Sequence, residues 1–333
     1  MKNFSTPQFI VVLLLMGLTA LTSQAQTIRR VSLTATGTNI YATFALAQTA
    51  AANNDIIQME PGTYAFDINM SKPLVVVGPG YFLDRYTAPA LQANTTPATV
   101  NNIYFNAGSA GSVVSGITAG NCLIGVSTVT LQRCNITSTF YINYPGSTAI
   151  TNVNIRQNYL NTIQNYSGIG SSNLLITNNI INSTVSLDNS CNGDFSNNTM
   201  PYLYSQVTLN NFNVTSNYFG YYAAAPILTN CTATYNAIYP NSVTLAGTGN
   251  INNVQPANVF VLTPGAQFDG WFQLKTGTNA LQGAGAGGTN IGSTGGNTPY
   301  RAGGIPAIPA IYQLSNSVGG NTLNVNLSTR SNN

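Results

Sequence analysis

The stretch ITNNIINSTVSLDNSCNGDFSNNTMPYLYSQVTLNNFNVTSNYF, residues 176–219, carries an asparagine every 19 residues, at Asn179, Asn198 and Asn217. The beat continues to Asn236, and runs back to Asn158 after 21 residues and, with a substitution, to Cys134 after 24. Apolar residues keep fixed offsets from this anchor. Three positions before it stand Leu131, Ile155, Ile176, Phe195, Val214 and Ala233, and two positions after it Ile136, Leu160, Ile181, Met200, Phe219 and Ile238. Five before it stand Val129, Val153, Leu174, Gly193, Phe212 and Cys231. A fixed period of about 20 residues is the mark of a solenoid with one coil per repeat.

Apolar residues two apart are the signature of a strand with one buried face. The intervening −4 and −2 positions are mostly polar (Thr130 and Gln132, Asn154 and Arg156, Asp194 and Ser196), with Leu175 the exception, and are expected to face solvent. The anchor Asn is expected to break the strand in a left-handed conformation and to hydrogen-bond the same amide above and below. A coil of 19 to 24 residues cannot hold a helix of ordinary length between strands, and no Leu-rich consensus recurs. The expected class is all-β: a parallel β-helix, a single-stranded β-solenoid with coils ~4.8 Å apart. The ladder Asn158, Asn179, Asn198, Asn217 and Asn236 then has a structural role.

The chain opens with Lys2, an apolar run Phe9 to Leu21 and Ser23-Gln24-Ala25, the pattern of a secretory signal peptide over 1–25. The protein is therefore expected to be exported, to the cell surface or beyond, with no transmembrane segment after cleavage. Charge is scarce, with 10 basic and 7 acidic residues and no His, which argues against nucleic acid as a partner. With no His, a zinc site would need four thiolates, and the spacing of Cys122, Cys134, Cys191 and Cys231 fits no such pattern. Neither metal nor cofactor is expected. The cysteines read as small buried thiols, with a Cys122–Cys134 disulfide as the alternative. Nothing in the sequence sets the oligomeric state.

Residues 38–52 read as a short amphipathic helix with Ile40, Phe44, Ala47 and Ala51 on one face, suited to capping the open end of the solenoid. Residues 83–102 read as a polar loop, and Gly-rich 283–304 as a loose last coil or linker. The expected division is a β-helix over 26–290 and a Gly/Pro-rich tail over 291–333. The alternating segment TLNVNLSTR, 322–330, is expected to fold back over the terminal edge.

The helix with spaced alanines, the strand Asp55-Ile56-Ile57, the turn Pro61-Gly62-Thr63-Tyr64, and Lys72 before Val75-Val76-Val77-Gly78 resemble the entry of right-handed parallel β-helix proteins of the pectate-lyase-like superfamily. From Phe272 the chain is similar to the closing coil and tail of secreted bacterial β-helix proteins, which commonly lack an assigned activity. The resemblance implies a right-handed coil. It also makes a polysaccharide lyase or glycoside hydrolase the alternative to a non-catalytic role.

Such enzymes need clustered carboxylates or a carboxylate pair ~5 to 9.5 Å apart. Of the seven carboxylates, only Asp188 and Asp194 fall in one coil, and Arg156 sits two coils from Asp194, about 9 to 10 Å by strand spacing. Arg156, Asp188 and Asp194 are thus the weak catalytic candidates. Tyr202 and Tyr221 share the +4 register, with Tyr204 and Tyr222 nearby, and form a candidate carbohydrate-binding ladder; lateral packing on the sheet is the plainer account of them. A hydroxyl row at −2 (Thr177, Ser196, Thr215, Thr234) raises ice binding as a remote third reading, although only Thr232 and Thr234 make a complete Thr-x-Thr pair. The expected partner is a polysaccharide or cell-envelope glycan.

Overall fold

A computed structural model describes residues 26–332, apart from 88, 89, 147, 167, 202–205, 221–224, 240, 241 and 263–267. The signal segment and the candidates Tyr202, Tyr204, Tyr221 and Tyr222 lie outside the described residues. The chain winds into a right-handed parallel β-helix of about nine turns. One sheet carries the −5 to −2 segments: Val129–Gln132, Val153–Arg156, Ser171–Thr177, Cys191–Ser196, Phe212–Thr215 and Thr232–Thr234 pair in that order. The other carries the segments that come after each anchor, from Asn135–Ile142 and Tyr159–Asn165 to Ala237–Tyr239.

Register follows the asparagine frame. Leu131, Ile155, Ile176, Phe195, Val214 and Ala233 are successive partners, as are Met200, Phe219 and Ile238. These rows form one continuous core. The −5 row has a glycine, Gly193, where a bulge would drive any Cβ into the Leu174 carbonyl oxygen, at φ +155°. The −4 and −2 rows are half-buried more often than exposed. Neighbouring polar side chains shield one another, as where Arg156 Nε donates to Gln132 Oε1 at 2.9 Å.

The anchor asparagines are sealed between the two sheets, with no exposed surface from Asn158 to Asn236. From Asn179 onward each Oδ1 accepts both the backbone N–H and the Nδ2 of the anchor one coil earlier. Asn198 Oδ1, for example, receives Asn179 N and Nδ2, both at 3.0 Å. Each Nδ2 also donates to the −3 carbonyl of the coil before: Asn179 to Ile155, Asn198 to Ile176, Asn217 to Phe195, Asn236 to Val214. Asn250, only 14 residues after Asn236, extends the ladder. The left-handed residue is not the anchor, as expected from sequence, but the one before it: Arg133, Gln157, Asn178, Asn197, Ser216 and Tyr235 have φ between 52° and 57°. Turning the chain one residue early points the anchor amide inward.

That left-handed row has a second use. Arg133 Nη1 donates to the Ile305 carbonyl, Gln157 Nε2 to those of Thr298 and Pro299, Asn178 Nδ2 to those of Ser293 and Gly295, and Asn197 Nδ2 to that of Asn290. Ser216 Oγ accepts from Ala286 N. The Gly-rich segment is therefore a strap running back along five coils, with neither the conformation of a last coil nor the slack of a linker. The residues just after each anchor, among them Tyr159, Ile180 and Tyr218, are buried under the same C-terminal region, against Phe260, Phe272 and Ile291.

The strap is pinned by a buried carboxylate. Asp269, with no exposed surface, accepts from Tyr86 Oη (2.7 Å), Tyr300 Oη (2.9 Å) and Gly303 N (2.7 Å). Burial pushes its carboxyl up to about 6, against the pull of these donors.

At the N-terminal end the helix is shorter than expected, Phe44–Ala50. Thr43 caps it, while Ile40–Tyr41 joins the sheet edge beside Ile28–Val31. Phe44, Ala47 and Ala51 close the core. The loop also ends early, because strand Ala98–Phe105 claims its last residues. Asp55 ties the helix exit to the first coil by accepting from Thr27 N, Ala52 N and Arg29 Nε. All four cysteines are free thiols, three of them buried, so the Cys122–Cys134 disulfide is not formed. The tail segment does not cover the solenoid's end. Ala310–Gly319 and Thr322–Arg330 pair into an antiparallel hairpin anchored through Ile311 and Arg330 to Ala93 and Leu91. Among the described residues, no helix is long and apolar enough to cross a membrane.

Two measurements test the ladder and the buried carboxylate. Asn198→Ala strands Asn179 N, Asn179 Nδ2 and the Ile176 carbonyl in a dry interior, and chemical denaturation should show a loss of about 2–4 kcal/mol. Exposed Asn213→Ala should cost less than about 0.5 kcal/mol. For Asp269, the raised folded pKa means that its contribution is fully present below about pH 4 and is lost as pH rises through about 6. Melting temperatures recorded from pH 5 to pH 7 should therefore fall, and Asp269→Asn should remove that component.

Candidate functional site

The three weak catalytic candidates are not brought together. Arg156 lies on Val153–Arg156 and Asp194 on Cys191–Ser196, with strand Ser171–Thr177 between them. Arg156 pairs with Thr177 and then Ser196, two residues along from Asp194. The backbone separation is thus about 11–12 Å, beyond the sequence-based figure. Arg156 bonds Gln132, and Asp194 accepts from Asn213 Nδ2 at 3.1 Å. Asp188 sits in the turn before that strand, where Ser190 N and Oγ donate to its Oδ1 and Asn165 Nδ2 to its Oδ2. Burial alone would raise its pKa; these hydrogen bonds outweigh it and hold the carboxyl below the usual range. A carboxylate so occupied suits neither a general acid nor a nucleophile. Among the described residues, no group of three or more His, Cys, Asp or Glu could hold a metal. The Asp269 cluster is sealed from substrate.

A different constellation lies on the far arm of the second sheet. Tyr141, on strand Asn135–Ile142, Tyr144, in the turn after it, and Tyr166, in the equivalent turn one coil on, form a closed cluster of rings. Tyr144 and Tyr166 meet edge to face with centroids 4.5 Å apart, and Tyr141 stands 6.0 Å from Tyr166. Backbone bonds from Tyr144 N to the Ile124 carbonyl and from Tyr166 N to the Ile142 carbonyl fix both turns. Tyr166 is 52% exposed, although its ring is held by two others. Tyr104 lies in the same outward row, two strands before Tyr141, with Leu123 between. Burial, then the charge of Asp67, raises its phenol's pKa.

Polar groups border the rings on two sides. Asp67, Asn102 and Asn121 form a short amide ladder, with Asn102 Nδ2 donating to Asp67 Oδ1 and Asn121 Nδ2 to Asn102 Oδ1, both at 2.9 Å. On the other side Asn165 and Asp188 exchange hydrogen bonds beside Tyr166. The result is an open aromatic surface edged by fixed amides and carboxylates. Such a surface offers stacking to a ring with an apolar face and acceptors to its hydroxyls. Asp188, a catalytic candidate from sequence, has its place here as part of a rim.

These tyrosines escape the anchor frame because a bulge between Ile136 and Thr139 shifts the register of their coil. Tyr141 consequently pairs with Gln164 and not with a residue at its own offset. The available signal was the density of tyrosine between 141 and 166 in the two longest coils.

No family model, no curated protein and no solved structure matches this chain.

Proposed function

We propose that the protein is an exported, non-catalytic β-helix that contacts glycan through the face formed by Tyr141, Tyr144 and Tyr166. The observation that carries this reading is the ring cluster itself: three packed tyrosines at a coil corner, the outermost half-exposed, flanked by hydrogen-bonded Asn165 and Asp188. Aromatic rings fixed by one another lose little freedom on binding. The acidic side chains bonded into this face are Asp67 and Asp188, neither of them in an ion pair among the described residues, so neutral glycans fit it better than uronates. The absence of a convergent acid pair or basic–acidic pair among Arg156, Asp188 and Asp194 favours binding without turnover. Export rests on the basic, apolar and small-residue pattern of residues 1–25.

Affinity electrophoresis through gels containing a neutral glucan, mannan or xylan should retard the protein, and polygalacturonate should retard it less. Tyr166→Ala and Tyr144→Ala should each weaken retention about five- to tenfold with unchanged circular dichroism. Unaltered mobility in every gel would reject the site. Unsaturated or reducing-end products after incubation would replace the non-catalytic reading with an enzymatic one. Amino-terminal sequencing of secreted protein should begin at Gln26.

A further inference from the structure

The tail hairpin, Ala310–Gly319 with Thr322–Arg330, has two unlike faces. Leu314, Val318, Leu323, Val325 and Leu327 lie on one, with Leu314 opposite Leu327 and Val318 opposite Leu323, and each is 53–77% exposed. Gln313, Ser315, Ser317, Asn324 and Asn326 lie on the other. This is the pattern of a sheet with one face buried, and a two-stranded ribbon with both faces wet is marginal on its own. From Gln313 to Thr329 the hairpin has no charge and no proline, so the usual guards of open strands are missing.

We infer that this apolar face is covered by the same face of a second copy of the chain, in a two-fold dimer. Area is sufficient: with about 100 Å² exposed on each of the five side chains and on Ile311, a pair removes roughly 1,200 Å² from water, the lower edge of specific interfaces. Composition points to a copy of itself. Asn316, opposite Val325, interrupts the apolar face near its middle. An amide both donates and accepts, so Asn316 is its own complement across a two-fold axis, whereas an unrelated apolar surface would leave it unpaired. An uncharged ribbon does not repel its like, and it has no basic residue to draw it to an anionic lipid surface. At the base of the hairpin, Ile311 and Leu314 also line a groove of ≈ 470 Å³ with Met59, Pro61 and Pro79. An antiparallel stack lays the partner's tip, Val318 and Leu323, over this groove.

Sedimentation velocity on the full secreted chain at about 1–100 µM should show a monomer–dimer equilibrium. Val318→Ser/Leu327→Ser should shift it to monomer with the circular dichroism of the solenoid unchanged, since neither side chain lies in the solenoid core. Asn316→Asp gives the sharper result, because only a copy of itself sets two new carboxylates face to face. Its dimer should weaken at least tenfold at pH 7 and recover near pH 4. The other ionisable groups on the hairpin, Tyr312 and Arg330, stand at its base. Wild-type protein monomeric at every concentration would overturn the dimer, as would an Asn316→Asp dimer equally tight at both pH values. Growth without limit beyond two copies would assign the open strand edges instead, and flotation of monomer with phosphatidylcholine vesicles would assign the face to lipid; either overturns the proposal.

Discussion

The structure depends on a primary amide that must be satisfied in a place no water reaches. A buried carboxamide left without partners costs several kcal/mol. Here each anchor asparagine meets that demand only through the coils on either side: its oxygen takes two donors from the coil before, and its nitrogen donates to the anchor after and to a carbonyl before. No coil can shift register without orphaning two others. The corner between the sheets is therefore invariant, while the anchor-to-anchor spacing changes from 14 to 24 residues by bulges and turns elsewhere. Where the ladder begins, Cys134 still donates its backbone N–H to Asn158 Oδ1, and its thiol lies near the Val114 and Gln132 carbonyls in place of an amide.

The solenoid was legible because its cause is periodic. One inward residue in a coil predicts its neighbour, so Ile155, Ile176 and Phe195 could be stacked by counting. What counting missed arises from parts of the chain that do not repeat. The strap over Gln157, Asn178 and Asn197 comes from a glycine-rich segment whose side chains carry no hydrophobic pattern; its contacts are made by backbone carbonyls, which every sequence has. Its one visible trace was the large apolar character of Tyr159, Ile180 and Tyr218 on the outer surface, which implies a cover. The tyrosine face was hidden by a single bulged residue. The alternation of TLNVNLSTR was read as a strand, but a segment cannot announce whether its partner is the solenoid or its own neighbour.

Strap and aromatic cluster cover one part of the coil surface and leave another open. The corner after the first sheet is occupied by residues 286–305, and the adjoining outer surface by the aromatic cluster around Phe260 and Phe272. The far arm, with Tyr141, Tyr144 and Tyr166, has no such covering from the C-terminal region in the hydrogen bonds and ring contacts of the described residues. Amides and carboxylates beside these rings recur from coil to coil, so the face proposed to meet glycan repeats every ~4.8 Å.

The strap has a kinetic meaning as well. A solenoid whose coils touch only their neighbours unfolds as a one-dimensional array, losing coils from either end. Here the Ile305 carbonyl is tied to Arg133, 172 residues earlier, and Tyr300 to Tyr81, 219 residues earlier. Such closures are slow to form, since the intervening chain must already be ordered. Coils can stack one after another, but the array becomes a single cooperative unit only when the last fifth of the chain has run back along it.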